Sequence, residues 1–334
     1  MLNRRDLCSR LAGLALLIVA SPAAAQAPEA DPLPSWNAGV ARARIRMYLE
    51  KISRPGPDFV PPEERVAVFD NDGTLWAEQP IYFQFAFAMD RAATLVAQDP
   101  GLRAKPAFRA IADKDQAAIA KLGEKDLMEV ALATEAGLTP DEYQAIVRRW
   151  LGQAKHPKFG VPYTALTYQP QLELLALLRG VGFKTYIVSG GDVRFMRVFA
   201  QSAYGVPPEQ VIGTSQKVRF EIRDGKAVLI AEPKLESLDD GPGKPANIDL
   251  HIGRPPLVAV GNSDGDLQML QYSAASVRPS LQILIRHDDA AREYAYDRES
   301  KIGRLDKALD EAALRRWTVV SMKTDWRVIF AGRP

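Results

Sequence analysis

The chain of 334 residues is 47% hydrophobic and 25% charged, the proportions of a globular protein with material for one large or two ordinary domains. Collagen-like, coiled-coil and wholly disordered classes are thereby excluded. Its 43 Lys and Arg against 41 Asp and Glu give a net charge of +2, which offers no electrostatic footprint for nucleic acid.

Met1 to Ala25 read as an export signal. Arg4, Arg5 and Arg10 make a positive start, Leu11 to Ala20 is an apolar run, and Ser21-Pro22-Ala23-Ala24-Ala25 supplies an A-x-A site with cleavage expected after Ala25. So short a run cannot cross a hydrocarbon layer that takes about 20 helical residues, and no stable membrane anchor is expected. Asn3-Arg4-Arg5-Asp6-Leu7 resembles a twin-arginine (Tat) signal, yet two arginines also suit the general secretory (Sec) route. Both routes to a periplasmic or secreted location stay open. Cleavage removes three arginines and one aspartate, leaving a formally neutral chain, and takes away Cys8, the one cysteine. The exported part then has no thiol for a disulfide, a nucleophile or a zinc site.

Residues 26–34 are proline-rich and read as a loose linker. Ser35 is expected to cap a helix bearing Trp36, Val40, Ile45, Tyr48, Leu49 and Ile52 at helical spacing, broken by Arg54-Pro55-Gly56-Pro57. Val66 to Phe69 is an apolar run of the kind that fills a buried parallel strand, and it ends in Asp70. Residues 77–163 are alanine-rich and helix-prone, and they read as an all-helical insertion. Alternation then resumes with helix 171–179, strand 184–188, helix 193–203 and strand 211–214. Lys217 to Arg223 and Lys226 to Ile230 flank Asp224-Gly225, a hairpin signal in which Val218, Phe220 and Ile222 share a face. Strand 257–260, helix 267–272 and strand 282–285 follow, and Trp317 to Phe330 reads as a closing strand or helix. The pattern predicts an α/β core of residues 35–76 and 164–334, a parallel sheet with helices on both faces and the site at the strands' carboxyl ends.

Four stretches at those ends carry chemistry. Phe69-Asp70-Asn71-Asp72-Gly73-Thr74-Leu75 delivers two carboxylates beside a core, a costly arrangement that makes sense where a divalent cation and a phosphate share the pocket. Asp70 could then attack phosphorus, and Asp72 could protonate the leaving group and activate water. Taken alone, an Asp-Gly turn with capping aspartates has the same look. Ser189, Gly190 and Gly191 close the next strand with a hydroxyl and exposed N–H groups suited to a phosphate oxygen. Lys244 begins a helix in Gly243-Lys244-Pro245. Gly261-Asn262-Ser263-Asp264-Gly265-Asp266 adds clustered oxygen donors, which with no thiol favour Mg²⁺ over zinc.

In this order the four stretches, over roughly residues 65 to 290, resemble the motifs of the haloacid dehalogenase-like (HAD) hydrolase superfamily, and of its phosphoserine-phosphatase-like branch in particular. The resemblance implies a Rossmann-like core, a helical cap at 77–163 and an aspartyl-phosphate intermediate on Asp70. It implies phosphate binding by Ser189, Gly190 and Lys244, with Lys234 competing for the lysine role. It also implies a Mg²⁺ site of Asp70, Asp72, Asn262 and Asp266, with Asp264 competing for the last place. Asn262 stands where many relatives have an aspartate. An acid at Asp72, which the dehalogenases of the superfamily lack, points to small phosphate esters as substrates.

Specificity is expected from the cap. Trp76, Glu78, Tyr82, Phe83, Phe85 and Phe87 are candidates, although each also suits hinge packing. Trp76 with Glu78 could bind a cationic head group such as choline. His287, in Arg286-His287-Asp288-Asp289, could touch substrate or cap the next helix. A broad phosphomonoesterase, a selective phosphorylcholine or phosphoserine phosphatase and a degenerate phosphate-binding or interaction protein are the readings carried forward.

Overall fold

The computed structural model describes residues 31–332, so the export signal at residues 1–25 lies outside the described residues. Strands follow the chain as β1 (Val66–Phe69), β2 (Lys184–Asp192), β3 (Val211–Arg223), β4 (Lys226–Ser237), β5 (Val258–Gly261), β6 (Leu281–Asp288), β7 (Ala295–Tyr296) and β8 (Thr318–Ser321). They form one sheet in the order β4-β3-β2-β1-β5-β6-β7, with β8 also on β6. Pairing is parallel except for β3 with β4 and β6 with β7.

Residue parity explains why the central strands are apolar throughout. On β1, Ala67 and Phe69 enter one buried cluster while Val66 and Val68 enter another, and β5 splits in the same way between Val258 and Val260 on one face and Ala259 on the other. A sheet covered on both faces has no polar side to present. Phe69, the last residue of β1, pairs with Ile187 of β2 and Val260 of β5, and both neighbours continue past it, β5 to Gly261 and β2 to Asp192. The chain order reverses across β1, and side chains just past its end look into the crevice where such sheets bind ligands.

Between β1 and β2 the described chain is helical, chiefly Phe83–Gln98, Pro106–Ala112, Glu124–Ala133 and Pro140–Gln153. Phe83, Phe87, Tyr143 and Val147 join the main core, whereas Ala92, Val96, Phe108, Ile111 and Val130 make a smaller core of their own. The hairpin braces this insertion. The Ala231 N–H donates to Leu138 O, and Ala231 O accepts from the Gly137 N–H.

Three expectations need correction. The first helix runs Val40–Ser53, not from Ser35, because residues 35–37 pair instead with the far end of the chain. Trp36 bridges to Trp326, Asn37 N–H donates to Asp325 O, and Arg327 N–H donates to Ser35 O. The end of the supposed loose linker is likewise packed, since Leu33 is fully buried. Beyond Trp326, Gln169 N–H donates to Ile329 O and Ala331 N–H to Thr167 O, while Tyr168 N–H donates to Leu75 O. A short ladder outside the main sheet thus links the last described residues to the loop after β1. The hairpin is longer than expected, because β3 runs unbroken from the sheet into it, and Phe220 and Ile222 stay exposed at 67% and 62%.

Candidate active site

Asp70 follows β1 directly and its N–H donates to Val260 O. The chain then curls, with Asn71 O accepting from the N–H groups of Thr74, Leu75 and Trp76. Asn71 turns inward, buried, and its Oδ1 accepts from the Tyr204 hydroxyl, while Asp70 and Asp72 line a cavity of about 440 Å³. Gly73 holds a left-handed φ of +74°, and a Cβ there would lie 2.1 Å from Asn262 Nδ2 and 2.5 Å from Glu78 Oε1. Neither neighbour has room to retreat. Gly73→Ala is expected to lower stability by about 1–3 kcal/mol, seen as a lower urea midpoint at unchanged slope. An unchanged midpoint would mean that the loop is not held as described.

Lys244 is 2% exposed, and its ammonium is fully spent within the protein. Nζ donates to Asp70 Oδ1 at 2.7 Å, to Asp266 Oδ1 at 2.6 Å and to Val188 O at 2.9 Å. Burial works against its charge, but Asp266, Asp70 and Asp239 outweigh that and hold its pKa above the usual lysine range. Burial raises the Asp70 carboxyl to about 8 against the pull of Lys244. Asp72 rises to about 6 for the same reason, against the indole N–H of Trp76. Ser189, 1% exposed, lines the cavity beside Gly190, and its Oγ accepts from the Gly191 N–H.

The fourth stretch divides its labour. Asp266 Oδ2 accepts from the N–H groups of Asn262 and Ser263 and from the Ser263 hydroxyl, and Oδ1 faces Lys244. Both of its oxygens are thus committed to protein donors, so the geometry gives Asp266 the work of fixing Lys244 instead of the ligand place expected for it. Asp264 turns away, its Oδ1 accepting from the N–H groups of Asp306 and Ala308. That leaves the amide of Asn262. Its Nδ2 donates to Glu78 Oε1 at 2.7 Å, and its Oδ1 accepts from the Thr74 hydroxyl at 3.0 Å.

Of the seven residues considered for specificity, Glu78, Tyr82 and Phe85 line the cavity, and Glu78 is bound to Asn262 and to the Tyr296 hydroxyl. Burial holds its pKa well above the usual carboxylate range. Trp76 is 1% exposed, its indole N–H donating to Asp72 Oδ1 at 2.7 Å and its ring packed between Phe199 and Phe83. No face remains for a cationic head group. His287 Nε2 meets Gly73 O at 2.8 Å, its Nδ1 faces Glu293 Oε2, and its ring stacks on Tyr296. Trp76 and His287 therefore support the loop of Asp70 and Asp72. Tyr204, Glu293 and Tyr296 complete this support, and no spacing or motif in the sequence marks them.

The donor set suits a hard divalent cation. Asp70, Asp72, Glu78, Asp192 and Asp240 line the cavity, with Lys244 as the one basic group among its lining residues. Such a gathering of carboxylates, all but Asp240 at least partly buried, is costly unless a cation offsets it. Asn262 Oδ1 keeps a second lone pair after accepting from Thr74. Among the described residues no cluster of three His, Cys, Asp or Glu could hold a metal, since the third donor here is an amide. Asp70, Asp72 and Asn262 are the residues that fit the cation.

A family model described as haloacid dehalogenase-like hydrolase matches residues 67–271. No curated protein matches the chain. Among solved structures, a conserved functionally unknown protein from Anaerococcus prevotii is 14% identical, with 87% of this chain and 93% of that one covered and a TM-score of 0.54. A protein with unknown function from Bordetella pertussis is 18% identical, with 77% and 98% covered and a TM-score of 0.49. A phosphoserine phosphohydrolase-like protein from Francisella tularensis is 17% identical, with 75% and 99% covered and a TM-score of 0.38. At these identities the first likeness shows a shared fold and the others add no argument.

Proposed function

The chain belongs to the haloacid dehalogenase-like hydrolases, and from that premise we propose that it is a Mg²⁺-dependent phosphomonoesterase with Asp70 as nucleophile and Asp72 as general acid and base. The observation that carries this reading is the pair of carboxylates at the end of β1 with Lys244 anchored on the first of them at 2.7 Å. Asp70 attacks phosphorus, the bond from phosphorus to the ester oxygen breaks, and Asp72 gives that oxygen its proton. Asp72, now ionised, takes a proton from water. The water oxygen attacks the phosphorus of the aspartyl-phosphate, and free Asp70 and inorganic phosphate result.

Lys244 lowers the repulsion between Asp70 and the phosphate oxygens, while the Ser189 hydroxyl and nearby N–H groups orient those oxygens. Mg²⁺ held by Asp70, Asp72 and Asn262 would supply further charge neutralisation. Asp72 as an acid one residue beyond Asn71 supports an ester of phosphate as substrate. We also take residues 1–25 as an export signal, which mass spectrometry of the secreted or periplasmic form would test by a new N-terminus after Ala25.

Hydrolysis of p-nitrophenyl phosphate by the protein without residues 1–25 tests the main reading. Activity is expected with Mg²⁺, is expected to fall to background with a chelator, and is expected to return when Mg²⁺ is restored. No activity at acidic and neutral pH with any of several divalent metals would overturn the phosphatase reading.

A further inference from the structure

The cavity above Asp70 and Asp72 sets an apolar wall beside its carboxylates and Lys244. Its wall comes from two helices of the insertion, with Phe85 on Phe83–Gln98 and Leu127, Met128, Ala131 and Leu132 on Glu124–Ala133. The four residues on the second helix fall at positions that share one helical face. The side of this pair turned inward is already satisfied, since Ala92, Val96 and Val130 pack in the insertion's own core. None of the five wall residues belongs to any of the three buried clusters, and all five are partly exposed. Apolar surface gathered in a concave wall and left without a protein partner is the mark of a site that takes hydrocarbon.

Charge points the same way. Lys244 is the one basic side chain of the lining, and its ammonium is already donated to Asp70, Asp266 and Val188 O. A carboxylate or second phosphate on the leaving group would face these carboxylates with no uncommitted cation among the lining residues. The lining also includes Gln216, 8% exposed, whose Oε1 has no partner. That oxygen is a neutral acceptor suited to a hydroxyl on the leaving group.

We propose that the leaving group is apolar and that the substrate class is phosphate monoesters of alkyl or aryl alcohols carrying no second anion. The phosphate lies on the floor and the hydrocarbon lies against Phe85, Leu127, Met128 and Leu132. The inference rests on the phosphomonoesterase reading and narrows it. The alcohol departs with the proton from Asp72, so the balance of the reaction is unchanged.

A series of n-alkyl phosphates from methyl to octyl, with phosphoserine and phosphorylcholine beside it, reads the proposal directly. kcat/KM is expected to rise about fourfold per added methylene (~0.8 kcal/mol) until the wall is covered, mostly through KM. Phosphoserine should fall at or below methyl phosphate. Met128→Lys should flatten the series and Met128→Leu should keep it, which separates a changed wall from a damaged fold. Binding without turnover is read by the rise in Tm that alkylphosphonates give to Asp70→Asn, again growing with chain length. Equal kcat/KM along the series, or a preference for phosphoserine or phosphorylcholine over an alkyl ester of similar length, overturns the inference and leaves the phosphatase standing. If no ester is hydrolysed, methyl and p-nitrophenyl phosphate included, the phosphatase reading itself fails. The phosphonate series then still decides whether the wall takes hydrocarbon.

Discussion

Asp70→Asn is expected to reduce kcat by about 10³-fold or more, because an amide cannot serve as the attacking carboxylate. The fold should survive. The amide oxygen can still accept from Lys244 Nζ, and Asp266 remains as that ammonium's ionised partner at 2.6 Å. One carboxylate fewer in an over-acidic cavity is neutral or mildly stabilising. The measurement is therefore double, with single-turnover phosphate release on one side and urea unfolding on the other. Wild-type turnover in a folded Asp70→Asn protein would remove Asp70 from the role of nucleophile. Lost turnover with an intact unfolding midpoint is the expected pairing.

Lys244→Met reverses that pattern and damages both properties. The substitution keeps the volume of the side chain but deletes the cation between Asp70 and Asp266, leaving two carboxylates buried against each other. Removing one partner of a buried ion pair costs about 3–5 kcal/mol, which for a chain of this size lowers Tm on the order of 10 °C. Turnover should fall to background because nothing then offsets the charge between Asp70 and the phosphate. The double variant Asp70→Asn, Lys244→Met supplies the control. With one carboxylate neutralised it should be more stable than Lys244→Met alone, by about 1–3 kcal/mol of coupling. Additive losses in the double variant would mean that the three groups do not form one electrostatic unit.

The core of this architecture was legible because buried strands leave a continuous apolar signature. Val66–Phe69 and Val258–Gly261 have no polar face to interrupt the pattern, and each runs straight into its acidic loop. Placement at strand and helix ends, with the resemblance to the family's motifs in order, also brought Asp70, Asp72, Ser189, Lys244 and Asn262 into one group. The tasks of side chains inside that group were harder to read. Asp266 has the composition of a metal ligand, and only the geometry shows both of its oxygens spent on Lys244, Asn262 and Ser263. Trp76 and His287 likewise have the chemistry of substrate contacts. Their hydrogen bonds to Asp72 and to Gly73 O depend on how a tight turn presents its atoms, which spacing does not encode. Tyr204 and Tyr296 reach the loop from 133 and 218 positions away, and Glu293 acts on it only through His287, so no motif announces them.

The ladder that joins residues 35–37 to 325–327, and residues 329–331 to 167–169 and on to Leu75, sets a timetable for the living chain. At ~5–20 residues per second of synthesis, the loop of Asp70 leaves the ribosome tens of seconds before the segment that finishes its support. Strand pairing around β1 can begin in that interval, but Trp36, Tyr168 and Leu33 have no finished surface to close upon until Trp326 and Phe330 arrive. A nascent chain halted before Trp326 would carry Asp70, Asp72, Ser189, Lys244 and Asn262 and still lack the rings that pack on Trp36 and Tyr168.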